Sequence, residues 1–187
     1  MKSQLQHRRS KGVTLVELLV VLSIISILTS LVVLGLGGSR AAKLSADGTA
    51  VADLAGLAGQ NAMAKNMVTA LVYAQTVSGK QGFALFQLNS GTWEQVTAWK
   101  FLADGVTVDS TQSTFLTPPN PAPQSFPTVS TIAGVAVQNS YYQIFLPSSQ
   151  IMGASLPSIR LVENSKAANF YDILINPATG RAIVERP

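Results

Sequence analysis

The longest apolar run in the chain covers residues 13–36 and contains one charged residue, Glu17. A helix of that length spans about 36 Å at ~1.5 Å per residue, which exceeds a hydrocarbon core of roughly 30 Å. The run therefore predicts a membrane-spanning helix. Gly35, Gly37 and Gly38 lie at its end, and each costs about 1 kcal/mol relative to alanine inside a helix. They predict a weak point or hinge at that position.

Residues 37–66 follow with a different pattern, rich in alanine. Their apolar side chains recur near helical spacing, with charged residues between them. The spacing predicts that the helix continues as an amphipathic segment whose small residues pack against a sheet. A flexible alanine-rich linker is the alternative interpretation. The apolar positions are Leu44, Val51, Leu54, Leu57, Ala58 and Ala62.

From residue 67 onward the pattern changes to short runs typical of strands, separated by Gly, Asn, Asp and Pro. Turn residues at 78–82 and 176–180 predict two hairpins. Strands without alternating helices favour an antiparallel arrangement, so the sequence predicts an α+β fold. In this fold a long N-terminal helix packs on a small antiparallel β-sheet head, residues 67–187. The predicted strands are 68–75, 83–89, 93–99, 106–109, 141–146, 159–163, 170–175 and 181–185.

Residues 110–131 interrupt these strands with five prolines and no charged residue. Proline at this density favours an extended backbone without a packed core. The segment is therefore interpreted as a mobile insertion in the head. A partner-binding loop is the alternative.

Charge is concentrated at the N-terminus. Of the 13 basic residues of the chain, Lys2, Arg8, Arg9 and Lys11 lie within the first twelve positions. Basic residues before a membrane helix stay on the cytoplasmic side, so the bulk of the chain is expected on the other side. The remaining chain is formally neutral. The basic residues at 1–12 are therefore interpreted as a targeting leader, while the basic pI says little about nucleic acid.

Composition also narrows the chemistry. The chain has no cysteine, and its single histidine, His7, lies in the leader. Disulfides, thiolate nucleophiles and cysteine-ligated metals are excluded. No G-x-S-x-G or phosphate-binding loop occurs, and nothing selects a Ser–Lys pair. We expect a protein that is not an enzyme and that holds no cofactor or metal.

An ordinary cleaved signal peptide fits the N-terminus poorly, because the apolar run is long and carries a carboxylate. Instead, residues 11–21, KGVTLVELLVV, closely resemble the class III signal of type IV pilins and type II secretion pseudopilins. The resemblance implies that a membrane prepilin peptidase cuts between Gly12 and Val13 and that the new amine of Val13 is methylated. Glu17 is then the fifth mature residue, which helps to register subunits during assembly. The family usually has Phe or Met at the position of Val13.

The head resembles GspH/FimT-type minor pilins through residues 61–66, NAMAKN, and 173–181, ILINPATGR. Residues 169–187 also resemble the pilin-like Verru_Chthon cassette proteins. These resemblances imply a small sheet packed on the end of the long helix and a role as a filament subunit. The implied partners are the peptidase and methyltransferase, other pilin or pseudopilin subunits, an inner-membrane assembly platform and membrane lipid. The implied location is the inner membrane, with the head on the periplasmic side, and then the filament.

Small hydroxyl residues in the apolar run suggest a packing face. Ser23, Ser26 and Ser30 follow i, i+3, i+7 spacing on one side of a helix, and Glu17 projects from roughly the opposite side. Such residues let membrane helices approach closely, although serine is also tolerated without packing.

Two other functions stay open. One is a DNA-binding minor pilin of an uptake system, using Arg181 and Arg186. The other is a membrane-anchored periplasmic protein that does not assemble into filaments. Glu185 lies between the two arginines and no basic stripe forms, so DNA is an unlikely partner on the sequence.

Overall fold

A computed structural model describes residues 15–115, 126–148, 150–152, 157–163 and 166–186, with side chains described except at 29–40 and 166–167. The chain divides into two compact units, Met1–Ser39 and Arg40–Pro187. Helix α1, Leu15–Lys65, passes without a break through Gly35, Gly37 and Gly38, whose role as a hinge stays a prediction. No helix in the described part of the chain is long and apolar enough to cross a membrane.

Antiparallel strands follow the helix. In the described residues they are β1 (Thr69–Thr76), β2 (Gln81–Asn89), β3 (Thr92–Gln95), β4 (Lys100–Phe101), β5 (Val106–Val108), β6 (Thr131–Ile132), β7 (Val135–Phe145), β8 (Ser158–Glu163), β9 (Lys166–Ile175) and β10 (Ala182–Glu185).

The strands form two sheets. The first has the order β3-β2-β1-β7-β6, with β4 also paired to β2, and the second has the order β10-β9-β8-β5. Every pairing between these strands is antiparallel. The predicted α+β class, a helix followed by an antiparallel β-rich head, is confirmed, although the head holds two sheets and not one.

Three strand predictions differ from the structure by more than two residues, and one of them is β9, which begins at Lys166 and not at the predicted 170. The predicted strand 93–99 is shorter in the structure, where β3 ends at Gln95. Val96 N–H donates to Leu85 O, and the Thr97 hydroxyl oxygen then accepts from Leu85 N–H in place of a backbone carbonyl, which ends the regular ladder. Strand β7 begins at Val135, well before the predicted 141, because a tight turn at Ala133 and Gly134 joins it to β6. Both turn residues have positive φ, 49° and 79°, the geometry of a type I′ hairpin. Because the first turn residue is alanine, which rarely adopts a positive φ, the sequence does not indicate this turn.

The main core lies between α1 and one face of each sheet. The helix contributes small buried residues, including Val51, Ala55, Ala58 and Ala62. Because these side chains are short, the helix approaches the sheets closely. The sheets contribute the larger side chains Leu71, Tyr73, Phe83, Leu85, Phe145, Ile159, Leu161, Tyr171, Ile173 and Ile175.

A second apolar cluster covers the other face of the first sheet. Phe126 packs edge-on against Tyr142, with ring centroids 5.5 Å apart, and Val129 lies in the same cluster. At the other end of the proline-rich segment, Phe115 stacks on Tyr73 at 5.7 Å. The prediction of an unpacked loop over 110–131 therefore does not hold at either end. Its centre, residues 116–125, lies outside the described residues.

The end of α1 is set by Asn66. This residue has a positive φ of 53°, and its N–H bonds to Met63 O at 3.4 Å. Met67 N–H bonds to Ala62 O at 3.2 Å. These two bonds form a Schellman motif, in which asparagine replaces the usual glycine. The motif releases the chain from the helix directly before β1.

Candidate functional site

The first described stretch of α1, residues 15–28, exposes its apolar side chains on every side. Each large apolar residue in it is at least 49% exposed, from Val20 at 49% to Leu15 at 82%. A folded monomer rarely exposes so continuous an apolar surface, and such a surface marks a membrane or protein contact. The stretch is therefore the candidate functional site.

Glu17 lies in the first turn of α1 and is exposed. The helix dipole favours a carboxylate at this end, where unsatisfied N–H groups give partial positive charge. Gly12 and Val13, the predicted cleavage and methylation positions, lie outside the described residues.

The predicted packing face is partly described. Ser23 Oγ donates to Leu19 O and Ser26 Oγ donates to Leu22 O, each at 2.8 Å. Both hydroxyls are thus satisfied within their own helix, so they can face an apolar neighbour without an unmet hydrogen bond. The side chain of Ser30 lies outside those described.

The basic residues near the end of the chain are separated by their contacts. The Arg186 guanidinium lies 5.0 Å above the Tyr171 ring and donates to Ser45 Oγ at 2.5 Å. Arg181 instead lines an open groove beside α1. The structure therefore does not bring the two arginines together in one described contact.

A metal site in this cysteine-free chain would be built from carboxylate and histidine side chains that together hold the ion. Across the described ranges, no group of three or more His, Asp or Glu side chains could do so. Asp47, a buried carboxylate of α1, has structural partners: it accepts from Ala103 N–H at 2.6 Å and lies 4.0 Å from Lys100 Nζ.

Comparison with known proteins gives one match. Residues 7–34 match the family described as the prokaryotic N-terminal methylation motif. This motif indicates a protein of the type IV pilin or pseudopilin kind, which agrees with the resemblance carried by residues 11–21. No curated protein and no solved structure matches the chain.

Sequence reasoning missed the contacts that fix α1 to the second sheet. An added Cβ at Gly48 would overlap the Tyr171 ring, and one at Gly59 would lie 3.1 Å from the backbone of Gly180. The available signal was the recurrence of glycine every few residues in an otherwise alanine-rich helix. That signal does not say which glycine is in contact.

Proposed function

We propose that the chain is a structural subunit, a minor pilin or pseudopilin, of a type IV pilus or a type II secretion pseudopilus. A prepilin peptidase removes residues 1–12, and the amine of Val13 is methylated. Residues 13–36 anchor the subunit in the inner membrane with its head on the periplasmic side. Assembly then transfers this segment from lipid into a helical filament.

The observation that carries the proposal is the apolar surface of residues 15–28, exposed on all sides of the helix and located inside the methylation motif. An apolar surface of this kind is stable only when lipid or other apolar helices cover it. A filament subunit meets both environments in succession.

The resemblance of the head supports a GspH/FimT-type minor subunit more than a major one. Residues 173–181 include the end of β9 and the turn into β10, where Asn176 Oδ1 accepts from Ala178 and Thr179 N–H. This turn contacts the helix through Gly59 and Gly180. A motif placed at such a contact fits a head built to pack on the long helix.

Glu17 is proposed to pair with the cationic amine of a neighbouring subunit. An α-amino group has a pKa near ~8 and stays basic after methylation. A charge within a membrane helix costs about 2.5–3.5 kcal/mol on insertion scales, so pairing fixes the register of subunits. Desolvation offsets part of this gain, and the pair therefore contributes specificity more than affinity.

The test combines processing with assembly. N-terminal mass spectrometry of the mature protein should find a methylated Val13, and Gly12→Glu should leave the leader attached. Glu17→Ala should be inserted and cleaved as in the parent yet should be lost from sheared filaments. Leu18→Ala is the matched control, because it removes apolar surface beside Glu17 and keeps the carboxylate.

Four results would contradict the proposal. A mature protein that starts at Met1 or after residue 38 would remove the processing step. Incorporation of Glu17→Ala into filaments at the parental level would show that the proposed pairing of Glu17 is wrong. Full processing without any filament would favour an anchored periplasmic protein, and salt-sensitive DNA binding lost in Arg181→Ala would favour an uptake subunit.

A further inference from the structure

Strand β10 is the terminal strand of the second sheet. It pairs with β9 on one side, and no strand in the described ranges pairs with its other side. Edge strands present unpaired N–H and C=O groups and are ready to pair with another chain.

The ladder with β9 shows which groups of β10 point outward. Asn176 N–H bonds to Arg181 O at 2.8 Å, so position 181 is a hydrogen-bonded position. Bonded and non-bonded positions alternate in an antiparallel ladder, and Ile183 and Glu185 are therefore bonded to β9 as well. The N–H and C=O groups of Ala182 and Val184 are consequently directed away from the sheet.

The side chains of β10 alternate between the core face and the exposed face of the sheet. Ala182 and Val184 are half-buried against the core, whereas Ile183 is 57% exposed and Arg181 and Glu185 are also exposed. The exposed face of β10 thus carries a cation, an apolar side chain and an anion at every second position.

Glu185 has an unfavourable neighbour within its own sheet. It lies directly opposite Asp172 in the ladder, and two like charges at such positions destabilise a strand pair. Asp172 is already held by Arg160, whose Nε and Nη2 donate to it at 2.7 and 2.5 Å. A cation on the free side of β10 would relieve this repulsion.

From these features we infer that β10 pairs antiparallel with β10 of a second copy of this chain. Centred on Ile183, the pairing places Ala182 opposite the second copy's Val184. The outward N–H and C=O groups of each of these residues then bond to those of the residue opposite. Arg181 then faces the second copy's Glu185, and the same pair repeats across the twofold axis. Ile183 meets its counterpart on that axis.

Space beside the edge suits this partner. A groove of about 920 Å³ separates β10 from α1, and its helix side includes Asp53, Gly56 and Leu57. A Cβ added at Gly56 would meet nothing within 4 Å. The second strand can therefore enter beside β10 without displacing the core.

This contact differs from the one that builds a helical filament. Antiparallel strands related by a twofold axis make a closed, isologous dimer, whereas filament subunits meet head-to-tail. The inference does not depend on the proposed function, and neither processing nor filament assembly enters its test.

The first part of the test uses the absence of cysteine from the chain. Full-length Ile183→Cys, in detergent micelles under mild oxidation, should form a disulfide dimer, because non-bonded cross-strand positions lie within disulfide range. Val77→Cys is the control, since this side chain is comparably exposed, at 63%, and lies on a turn far along the chain from β10. Equal cross-linking of the two variants would overturn the inference.

The second part tests the register through charge. Added to Ile183→Cys, either Arg181→Glu or Glu185→Arg turns both cross-strand pairs into like charges and should weaken self-pairing roughly tenfold. Mixing the two variants restores opposite charges at both positions, so a mixed disulfide dimer should form at the parental level. Folding failure cannot produce that recovery. The inference would be overturned if the charge reversals left the yield of disulfide dimer unchanged. It would also be overturned if the mixture gave no more disulfide dimer than either variant alone.

Discussion

At the scale of single residues, three glycines of α1 have different surroundings. Gly48 faces the Tyr171 ring, Gly59 faces the backbone of Gly180, and Gly56 faces open space. The sequence leaves these positions equivalent, because each is a small residue in a helix rich in small residues. Only the tertiary contacts separate them.

This difference predicts an ordered series of stabilities. Gly56→Ala should raise the free energy of unfolding by about 0.5–1 kcal/mol, since alanine is the better helix former and meets nothing. Gly48→Ala should lower it by about 1–3 kcal/mol, because the Tyr171 ring must move within a packed core. Gly59→Ala should fall between, as the Gly180 backbone needs to shift only slightly.

Denaturant unfolding of the three variants measures the series, with unchanged m-values as the sign that the folded state is the same. If all three alanine variants were stabilised alike, the close packing of α1 on the second sheet would be wrong.

At the scale of elements, the proline-rich segment is packed on the head where the structure describes it. Phe126 packs against Tyr142 and Pro127 is buried, and residues 117–125 lie outside the described residues. Replacing 117–125 by the same number of Gly and Ser residues should change the free energy of unfolding by less than about 1 kcal/mol, because the loop length is unchanged. Phe126→Ala should cost roughly 2 kcal/mol, since the ring is only half-buried.

Thermal unfolding of both variants in the same buffer gives the comparison. A large loss of stability in the Gly/Ser variant would show that the centre of the segment is packed too. A negligible effect of Phe126→Ala would remove its role as a cover for the first sheet.

How well the sequence predicted each element depended on how local its signal was. The hairpin from β9 to β10 was predictable, because Asn176, Pro177 and Gly180 specify a turn by their own backbone preferences. The hairpin from β6 to β7 was not, since Ala133 takes a φ of 49° that alanine rarely adopts. The division of the strands into two sheets was also beyond reach, because it depends on pairings distant in sequence.

The candidate site shows the same contrast. The apolar run, its single carboxylate and the basic leader are local, and they are what predicted the motif at residues 7–34. The edge of β10 is a property of the sheet order. In the sequence, Arg181 and Glu185 are only two charged residues of a predicted strand. The pairing of β10 with β9 shows that both side chains lie on the exposed face of an edge strand.

At the scale of the molecule, the buried core belongs to one unit. Every buried hydrophobic residue in the described part of the chain lies between Leu44 and Ile175, within the unit Arg40–Pro187. The first unit contributes exposed apolar surface instead. The buried core and the exposed apolar surface thus lie in different parts of the sequence.

Residues 40–187, produced without the apolar run, should be soluble without detergent and should unfold cooperatively, because they contain the whole described core. Circular dichroism should show a β-rich protein with a single thermal transition, and the full chain should need detergent.

Gly48→Ala in this fragment separates a specific fold from a loose collapse. A packed Tyr171 should make the substitution lower Tm by about 3–8 °C for a unit of this size, whereas a fluid interior would accommodate one methyl group with little change. A broad transition whose Tm is unchanged by Gly48→Ala would mean that the core packs only when residues before 40 are present.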